Sequence, residues 1–337
     1  MPVNVAVCGA GAFGRNHLRV YRELEHGGNG VTLAAIIESD AASAASLQQE
    51  FGVPIFASVE AALAARSRNE VRLDAASICV PTSAHFAAAA PLLSSGIDLL
   101  IEKPIASNTK EADDLIALAR QHSRILQTGH LERFNPAVLA IQPLLSRPMF
   151  FEAHRLSVFT PRALDVDVVL DLMIHDLDIV LSFTQSPVRE IHAVGLPILS
   201  GKVDIANVRL EFDSGCVANF TASRVSTERV RKLRFFQPHQ YISIDYARKD
   251  VLVIDVNGIP TSAGAAAAAQ PPVAFNKPQV QQAEPLRLEI ESFLESVRTR
   301  KPPQVSAEDG RAALALALKI NQAIADHAKR AGLANFH

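Results

Sequence analysis

The chain has 337 residues, of which 48% are hydrophobic and 20% charged, so it is long enough to form two domains with buried cores. Its 33 basic and 35 acidic side chains nearly cancel, and no basic run stands out, which argues against nucleic acid as a partner. Because no run of about 18 apolar residues is present, we expect no membrane partner and a cytoplasmic location.

Short β-branched segments alternate with alanine-rich segments of helical period near the start of the chain. The predicted strands are 3–7, 33–37, 75–80, 98–101 and 125–127. Such alternation is typical of a parallel sheet with helices on both faces. We therefore predict an α/β, doubly wound domain over residues 1–128.

The pattern changes after this point, and we predict a second α/β domain over residues 129–337. Helical periodicity at 135–145 and 165–183 is followed by segments that alternate apolar and polar residues, which indicates antiparallel strands. These segments are 204–212, 216–223, 232–236, 241–245 and 251–256. Residues 257–285 lack periodicity and are predicted to form a loop. The closing helices at 284–298 and 307–331 are expected to pack back on the rest of the fold, with the first domain as a candidate surface.

A G-x-G-x-x-G motif, formed by Gly9, Gly11 and Gly14 with Ala12 and Phe13 inside it, follows the first predicted strand and opens a helix. This context is the one in which the motif predicts a dinucleotide site rather than an ordinary turn. The first glycine permits a tight turn, the second lets the backbone approach a pyrophosphate, and the third lets helix and strand pack closely. The helix N-terminus then faces the anion.

The second predicted strand ends in Glu38, where a carboxylate can accept hydrogen bonds from the adenosine ribose and would repel a 2′-phosphate. This position favours NAD over NADP. Asp40 is interpreted as the N-cap of the following helix. The alternative for Glu38 is a solvated strand end without a ligand.

Further candidate cofactor residues follow the strand at 75–80. Thr82 and His85 lie where the carboxyl ends of parallel strands meet and where ligands bind in doubly wound folds. Thr82 is predicted to contact the cofactor. His85 either lines the same site or meets solvent or a carboxylate at the start of a helix.

Glu102 and Lys103 end the strand at 98–101 and reach the same edge of the sheet. There the Lys103 ammonium can hydrogen-bond a reacting hydroxyl and stabilise developing oxyanion character. A solvated surface lysine is the alternative.

The predicted helix at 165–183 carries Asp171, His175 and Asp178 on an otherwise apolar sequence. Spacings of four and three residues put them on one face of an α-helix. Buried carboxylates and imidazoles need partners or a cleft, so we predict that His175 takes the hydroxyl proton while a carboxylate orients it or holds the sugar. A satisfied core histidine is the alternative. One histidine with two aspartates is a poor zinc ligand set, and no metal is expected.

Together, the glycine motif, Glu102-Lys103-Pro104 and Asp171-x-x-x-His175 resemble the Gfo/Idh/MocA oxidoreductases. The resemblance implies an N-terminal Rossmann domain that binds NAD, with Glu102 and Lys103 beside the cofactor. It also implies a C-terminal domain whose large, open, mostly antiparallel sheet forms a homodimer or homotetramer. Lys103 and His175 would be the catalytic pair, and Asp171 a substrate-binding or orienting residue.

Residues 129–136, 168–176, 221–226 and 241–246 resemble the UDP-N-acetylglucosamine 3-dehydrogenase subgroup of this family. That resemblance implies NAD-dependent oxidation of the C3 hydroxyl, with the 3-keto sugar passed to an aminotransferase for 3-amino sugar synthesis. We predict Asn135 in the substrate site. Arg155, Arg224 and Arg231 are candidates to meet the diphosphate by bidentate hydrogen bonds.

Two other functions stay open. A free-sugar or cyclitol dehydrogenase of the same family would share every motif above. A non-catalytic NAD-binding regulator would need neither Lys103 nor His175, so the presence of both residues argues against it.

Overall fold

The computed structural model describes residues 2–160, 166–256 and 273–333. The chain divides into two compact units, the first made of Met1–Leu131 with Glu284–Ala315 and the second of Glu132–Ala283 with Leu316–His337. Residues 284–315 thus group with the first unit, although they fall within the predicted second domain.

The first unit contains a six-stranded parallel sheet in the order β3-β2-β1-β4-β5-β6. Its strands are β1 (Val3–Cys8), β2 (Val31–Ile37), β3 (Ile55–Phe56), β4 (Ala75–Ile78), β5 (Asp98–Glu102) and β6 (Leu126–Gly129). This is the strand order of dinucleotide-binding Rossmann domains, so the predicted doubly wound sheet is confirmed. The sequence analysis missed β3, because two residues are too few to show a periodicity.

The helices of both units follow the predicted order along the chain. They are α1 (Ala12–His26), α2 (Ala41–Phe51), α3 (Val59–Ser67), α4 (His85–Ser94), α5 (Thr109–Gln121), α6 (Pro136–Ile141), α7 (Ile174–Thr184), α8 (Pro285–Thr299) and α9 (Ala307–Arg330). Among the described residues, no helix combines the length and apolarity needed to cross a bilayer.

The core of the first unit joins the start of the chain to α8. Leu18 and Tyr21 of α1 are buried with Val5 of β1 and with Ile290 and Phe293 of α8. Apolar residues spaced three and four apart give each helix one apolar face, and burial of that face stabilises the packing.

The second unit contains an eight-stranded sheet in the order β14-β13-β12-β11-β7-β10-β9-β8. Its strands are β7 (Phe150–Val158), β8 (Val188–Leu196), β9 (Ile205–Phe212), β10 (Val217–Ser226), β11 (Val230–Gln237), β12 (Gln240–Asp245), β13 (Asp250–Val256) and β14 (Val273–Asn276). Among the described strands of this sheet, only the β7–β10 pair is parallel, which confirms the predicted large, mostly antiparallel sheet. β7 and β8 were not predicted. β14 lies in the segment predicted to be a loop, of which residues 257–272 are outside the described residues.

Helix α7 covers one face of this sheet. Phe151 and Phe235 stack with ring centroids 5.1 Å apart, and Phe183 of α7 lies 5.8 Å from Phe235. On the opposite face, β7 and β11 carry Glu152 and Arg234 as a cross-strand ion pair. The alternation therefore separates a helix-covered face from a polar face.

Candidate active site

The three glycines of the motif each have a different structural role. Gly9 has a φ of +86°, and a Cβ atom there would lie 2.8 Å from Val80. A Cβ on Gly14 would lie 1.9 Å from the Gly9 carbonyl oxygen. Gly11 is the N-cap of α1, and a Cβ there would have no atom of the described residues within 4 Å. The turn thus requires Gly9 and Gly14 for packing, while Gly11 leaves space at the helix N-terminus for an anion.

Glu38 contacts the same turn. Its Oε2 accepts the Ala10 N–H at 2.8 Å and its Oε1 accepts the Asp40 N–H at 3.0 Å. A carboxylate has about four acceptor sites, so each oxygen can still accept a ribose hydroxyl. Asp40 caps α2 by accepting the Ser43 N–H, as predicted.

Removing the Glu38 carboxylate is expected to weaken NAD binding about 10-fold. It should also reduce the preference for NAD over NADP, since the negative charge of Glu38 repels a 2′-phosphate. Dissociation constants of both cofactors for Glu38→Ala measure this. Glu70→Ala, which removes an exposed carboxylate paired with Arg68 in the same unit, should change neither constant. Equal affinity of the unaltered protein for the two cofactors would show that the role given to Glu38 is wrong.

His85 connects two loops at the carboxyl edge of the first sheet. Its Nδ1 lies 2.9 Å from the Pro104 carbonyl oxygen and its Nε2 2.9 Å from that of Val80. The ring is buried, and burial lowers the pKa of His85. Both ring nitrogens thus face backbone carbonyl oxygens, so the neutral ring donates to one of them and neither nitrogen is free for a cofactor. Thr82 is half-buried in the 3-10 turn just before α4.

Glu102 and Lys103 occupy the end of β5, as predicted. Lys103 is half-buried directly after the strand and precedes Pro104 through a cis peptide bond. Glu102 Oε1 lies 3.0 Å from Nε2 of His17, which is fully buried on α1. The Glu102 carboxylate therefore contacts the interior of the unit, a contact that the sequence analysis missed.

In the second unit, Asp171 and His175 belong to a helix that is not α-helical throughout. Val169–Met173 forms a π-helical turn that leads into α7, so the regular α-helical spacing assumed for the predicted helix is wrong there. Asp167 Oδ1 accepts the N–H groups of Val169 and Leu170. Such π-turns are frequent at functional sites.

The predicted polar stripe separates into two environments. Asp171 and His175 are half-buried, whereas Asp178 is buried with Arg133 Nε 3.0 Å from its Oδ2. Asp171 and His175 are therefore the partly accessible residues of the stripe, and Asp178 is an ion-paired interior residue.

Arg155, predicted to meet a diphosphate, is 4% exposed and forms internal ion pairs. Its Nε and Nη2 lie 2.7 and 2.9 Å from the Asp176 carboxylate oxygens, and its Nη1 lies 3.0 Å from Glu132. The guanidinium also lies 5.2 Å from the Tyr246 ring centroid. All three nitrogens are thus engaged, and we no longer propose Arg155 as a phosphate ligand.

Arg224 and Asn135 are also held inside the second unit. Arg224 Nε lies 2.9 Å from Asp204, and Arg224 is 4% exposed. Asn135 is the buried N-cap of α6 and donates to the Tyr246 carbonyl oxygen at 3.1 Å. Both residues stabilise the scaffold, and we do not retain them as substrate ligands.

Arg231 differs from the other two candidate arginines because it is exposed. It pairs in register with Arg155 across β11 and β7, so it lies on the helix-covered face of the sheet. It is the candidate phosphate ligand that we retain.

Comparison with known proteins agrees with this geometry. The family model described as "Oxidoreductase family, NAD-binding Rossmann fold" matches residues 3–130, and "GFO/IDH/MocA C-terminal domain" matches residues 146–238. The UDP-N-acetylglucosamine 3-dehydrogenase of Acidithiobacillus ferrooxidans is 35% identical over 96% of this chain and 97% of its own. The chain belongs to the Gfo/Idh/MocA oxidoreductase family. The recognition made from the motifs is therefore confirmed.

Two further comparisons show how far the likeness to Gfo/Idh/MocA oxidoreductases extends. The solved structure of UDP-N-acetylglucosamine 3-dehydrogenase GnnA from A. ferrooxidans superposes with a TM-score of 0.85 and covers 96% of this chain and 98% of its own at 33% identity. An inositol 2-dehydrogenase of Leifsonia xyli is 28% identical over 56% of each chain. Full-length similarity thus favours the sugar-nucleotide enzyme over the cyclitol enzyme.

The cofactor of this Gfo/Idh/MocA enzyme is NAD. The residues of the first unit fit it, since the space beside Gly11 admits a pyrophosphate at the N-terminus of α1. The Glu38 carboxylate at the end of β2 suits a ribose without a 2′-phosphate.

Proposed function

We propose that the protein oxidises the C3 hydroxyl of UDP-N-acetylglucosamine with NAD. The observation that carries this proposal is the end-to-end similarity to the enzyme of that name, in sequence and in fold. We further propose that the 3-keto product passes to an aminotransferase. The cytoplasmic location stays a prediction.

We assign the chemistry to Lys103, His175 and Asp171. NAD, when bound, supplies the hydride acceptor. The His175 imidazole accepts the C3 hydroxyl proton, and the half-buried Asp171 orients the ring or holds the sugar. The Lys103 ammonium hydrogen-bonds the same oxygen and stabilises its negative charge as the carbonyl forms.

We propose that Arg231 binds the diphosphate, because the residue is exposed and lies, in register with Arg155, on the same face of the sheet as α7. The polar face of that sheet is then left for assembly into a homodimer or homotetramer. Phe236, 39% exposed beside Phe150 and Tyr241, supplies an apolar contact for that interface.

The substrate is tested by offering UDP-N-acetylglucosamine, free N-acetylglucosamine and myo-inositol in parallel, with and without 2-oxoglutarate to reoxidise a retained cofactor. We expect turnover of the nucleotide sugar, and a loss of both kcat and affinity with the free sugar, because the remote diphosphate positions C3. Arg231→Gln should raise KM about 10-fold. Arg248→Gln, which removes an 82% exposed guanidinium beside Asp245 after β12, is the matched control and should leave KM unchanged.

Turnover of an uncharged compound, with none of the nucleotide sugar, would move the protein to the free-sugar or cyclitol branch. NAD binding without turnover of any of the three would instead favour the non-catalytic regulator.

A further inference from the structure

Three titratable side chains of the first unit meet beside the end of β5. They are His17 of α1, Glu102 of β5 and Glu289 of α8, and one nitrogen or oxygen of each lies within 4.8 Å of the others. His17 and Glu289 are fully buried, and the Glu102 side chain is 13% exposed. None of the three was singled out from the sequence as part of a buried cluster.

Glu289 is the unusual member of this cluster. Neither of its carboxyl oxygens has a hydrogen-bond partner among the described residues, and His17 Nδ1 is likewise buried without one. An ionised carboxylate in such surroundings has lost its hydration without gaining donors. Two carboxylates this close also oppose each other's ionisation, as in carboxylate dyads that share one proton.

The groups that face Glu289 come from four elements. α1 supplies His17 and Tyr21, the segment after β4 supplies Cys79, and β5 supplies Glu102. Gln127 of β6 donates to the Glu289 backbone carbonyl at 3.3 Å. Burial, followed by the charge of Glu102, raises the pKa of Glu289 well above its usual range.

We propose that Glu289 is protonated in the folded protein and shares its proton with the Glu102 carboxylate, directly or through one water. Glu102 would then be held from one side by His17 and from the other by Glu289. Since Lys103 follows Glu102 directly, this makes Glu289 a positioning residue for the strand end that bears the lysine. The kinetic part rests on the proposed role of Lys103, whereas the protonation does not.

The first test compares the pH dependence of Tm for the wild type and Glu289→Gln. An acid whose pKa is raised by folding loses stability as pH rises from its unfolded pKa, about 4.3, towards the folded value. The glutamine amide of Glu289→Gln keeps a hydrogen-bond donor at this position but does not titrate. The Tm of Glu289→Gln minus that of the wild type should therefore increase by about 2 °C for each pH unit above pH 5.

Glu295→Gln is the matched control, since Glu295 is exposed on the same helix. Its Tm should follow the wild type at every pH. An infrared C=O band of a protonated carboxyl at pH 8, lost in Glu289→Gln and kept in Glu295→Gln, should report the same proton. A constant Tm difference across pH with no such band would overturn the proposal.

The second test measures the positioning role of Glu289 through kcat and KM. Glu289→Gln retains a donor and should keep kcat within about 2-fold, while Glu289→Leu removes it and should lower kcat about 10-fold with little change in KM, because the lysine is misplaced. An equal decrease in kcat in both variants, or a change in KM alone, would contradict the positioning role of Glu289.

Failure of the proposed function can be distinguished from failure of this inference. A wild type inactive on all three sugars would reject the function, while the Tm and infrared results would still decide on the proton. A stoichiometric metal ion in the purified protein, whose removal by EDTA lowers Tm, would put a cation in the place of the proton and overturn the inference.

Discussion

Replacing Lys103 by Met or His175 by Asn is expected to lower the rate of NAD reduction about 10²-fold or more, the range of a positioned acid or base. Each substitution removes a charge or proton carrier and keeps most of the side-chain volume. Because both residues are half-buried rather than part of a packed core, folding and NAD affinity should be retained.

Single-turnover formation of NADH is the measurement, since it isolates the chemical step from product release. Lys110→Met and His192→Asn are matched controls, because Lys110 is 83% exposed in a pair with Asp114 and His192 is 67% exposed beside Glu190. The controls should react at the wild-type rate. Near-normal single turnovers in both the Lys103 and the His175 variant would refute the assigned mechanism.

Substitutions in the glycine turn should separate folding from cofactor binding. Gly14→Ala is expected to destabilise the protein by about 3 kcal/mol, since its Cβ would lie 1.9 Å from the Gly9 carbonyl oxygen and backbone must move. Gly11→Ala is expected to cost at most about 1 kcal/mol, because its φ of −63° suits alanine and the space around it is open.

In Gly11→Ala, we expect NAD binding to weaken while stability changes little. A methyl group there fills the space left for the pyrophosphate, so Kd should rise about 10-fold or more while Tm stays nearly unchanged. Thermal unfolding and NAD titration of both variants check this. Unchanged NAD affinity in Gly11→Ala would show that the pyrophosphate binds elsewhere.

The parts of the site that could be predicted from the sequence are those determined locally. Gly9, Gly11 and Gly14 act within one turn, and Asp40 caps α2 through the N–H of Ser43, three residues away. Lys103 directly follows β5, which is parallel to both of its neighbours, so its place at the carboxyl edge of the sheet follows from strand order.

The arginines could not be assigned in this way, because their partners are distant in sequence. Arg155 pairs with Glu132 and Asp176, which lie 23 and 21 residues away on other elements. A buried, ion-paired arginine and an exposed phosphate ligand have the same sequence signature. β7, which carries Arg155, was missed for a related reason, since this buried charge interrupts its apolar alternation.

Glu289 did leave a signal that could have been used. It lies on the apolar stripe of α8, three residues after Leu286 and four before Phe293, both of which are buried. A charged residue on such a stripe indicates either a buried partner or a bound proton, whereas the exposed Glu295 on the same helix carries no such information.

The packing of α8 against β1 and α1 has a consequence for biosynthesis. The ribosome makes Met1–Leu131 first, but the helix that completes this core follows the intervening segment Glu132–Ala283. Translation of about 150 residues at roughly 5–20 residues per second leaves the core of the first unit incomplete for about 8–30 s. During that time Leu18, Tyr21 and Leu24 of α1 lack the covering side chains of α8 and are open to chaperones or to other nascent chains.

A fragment ending at residue 130, where the first family match stops, would keep that surface uncovered permanently and should aggregate when expressed alone.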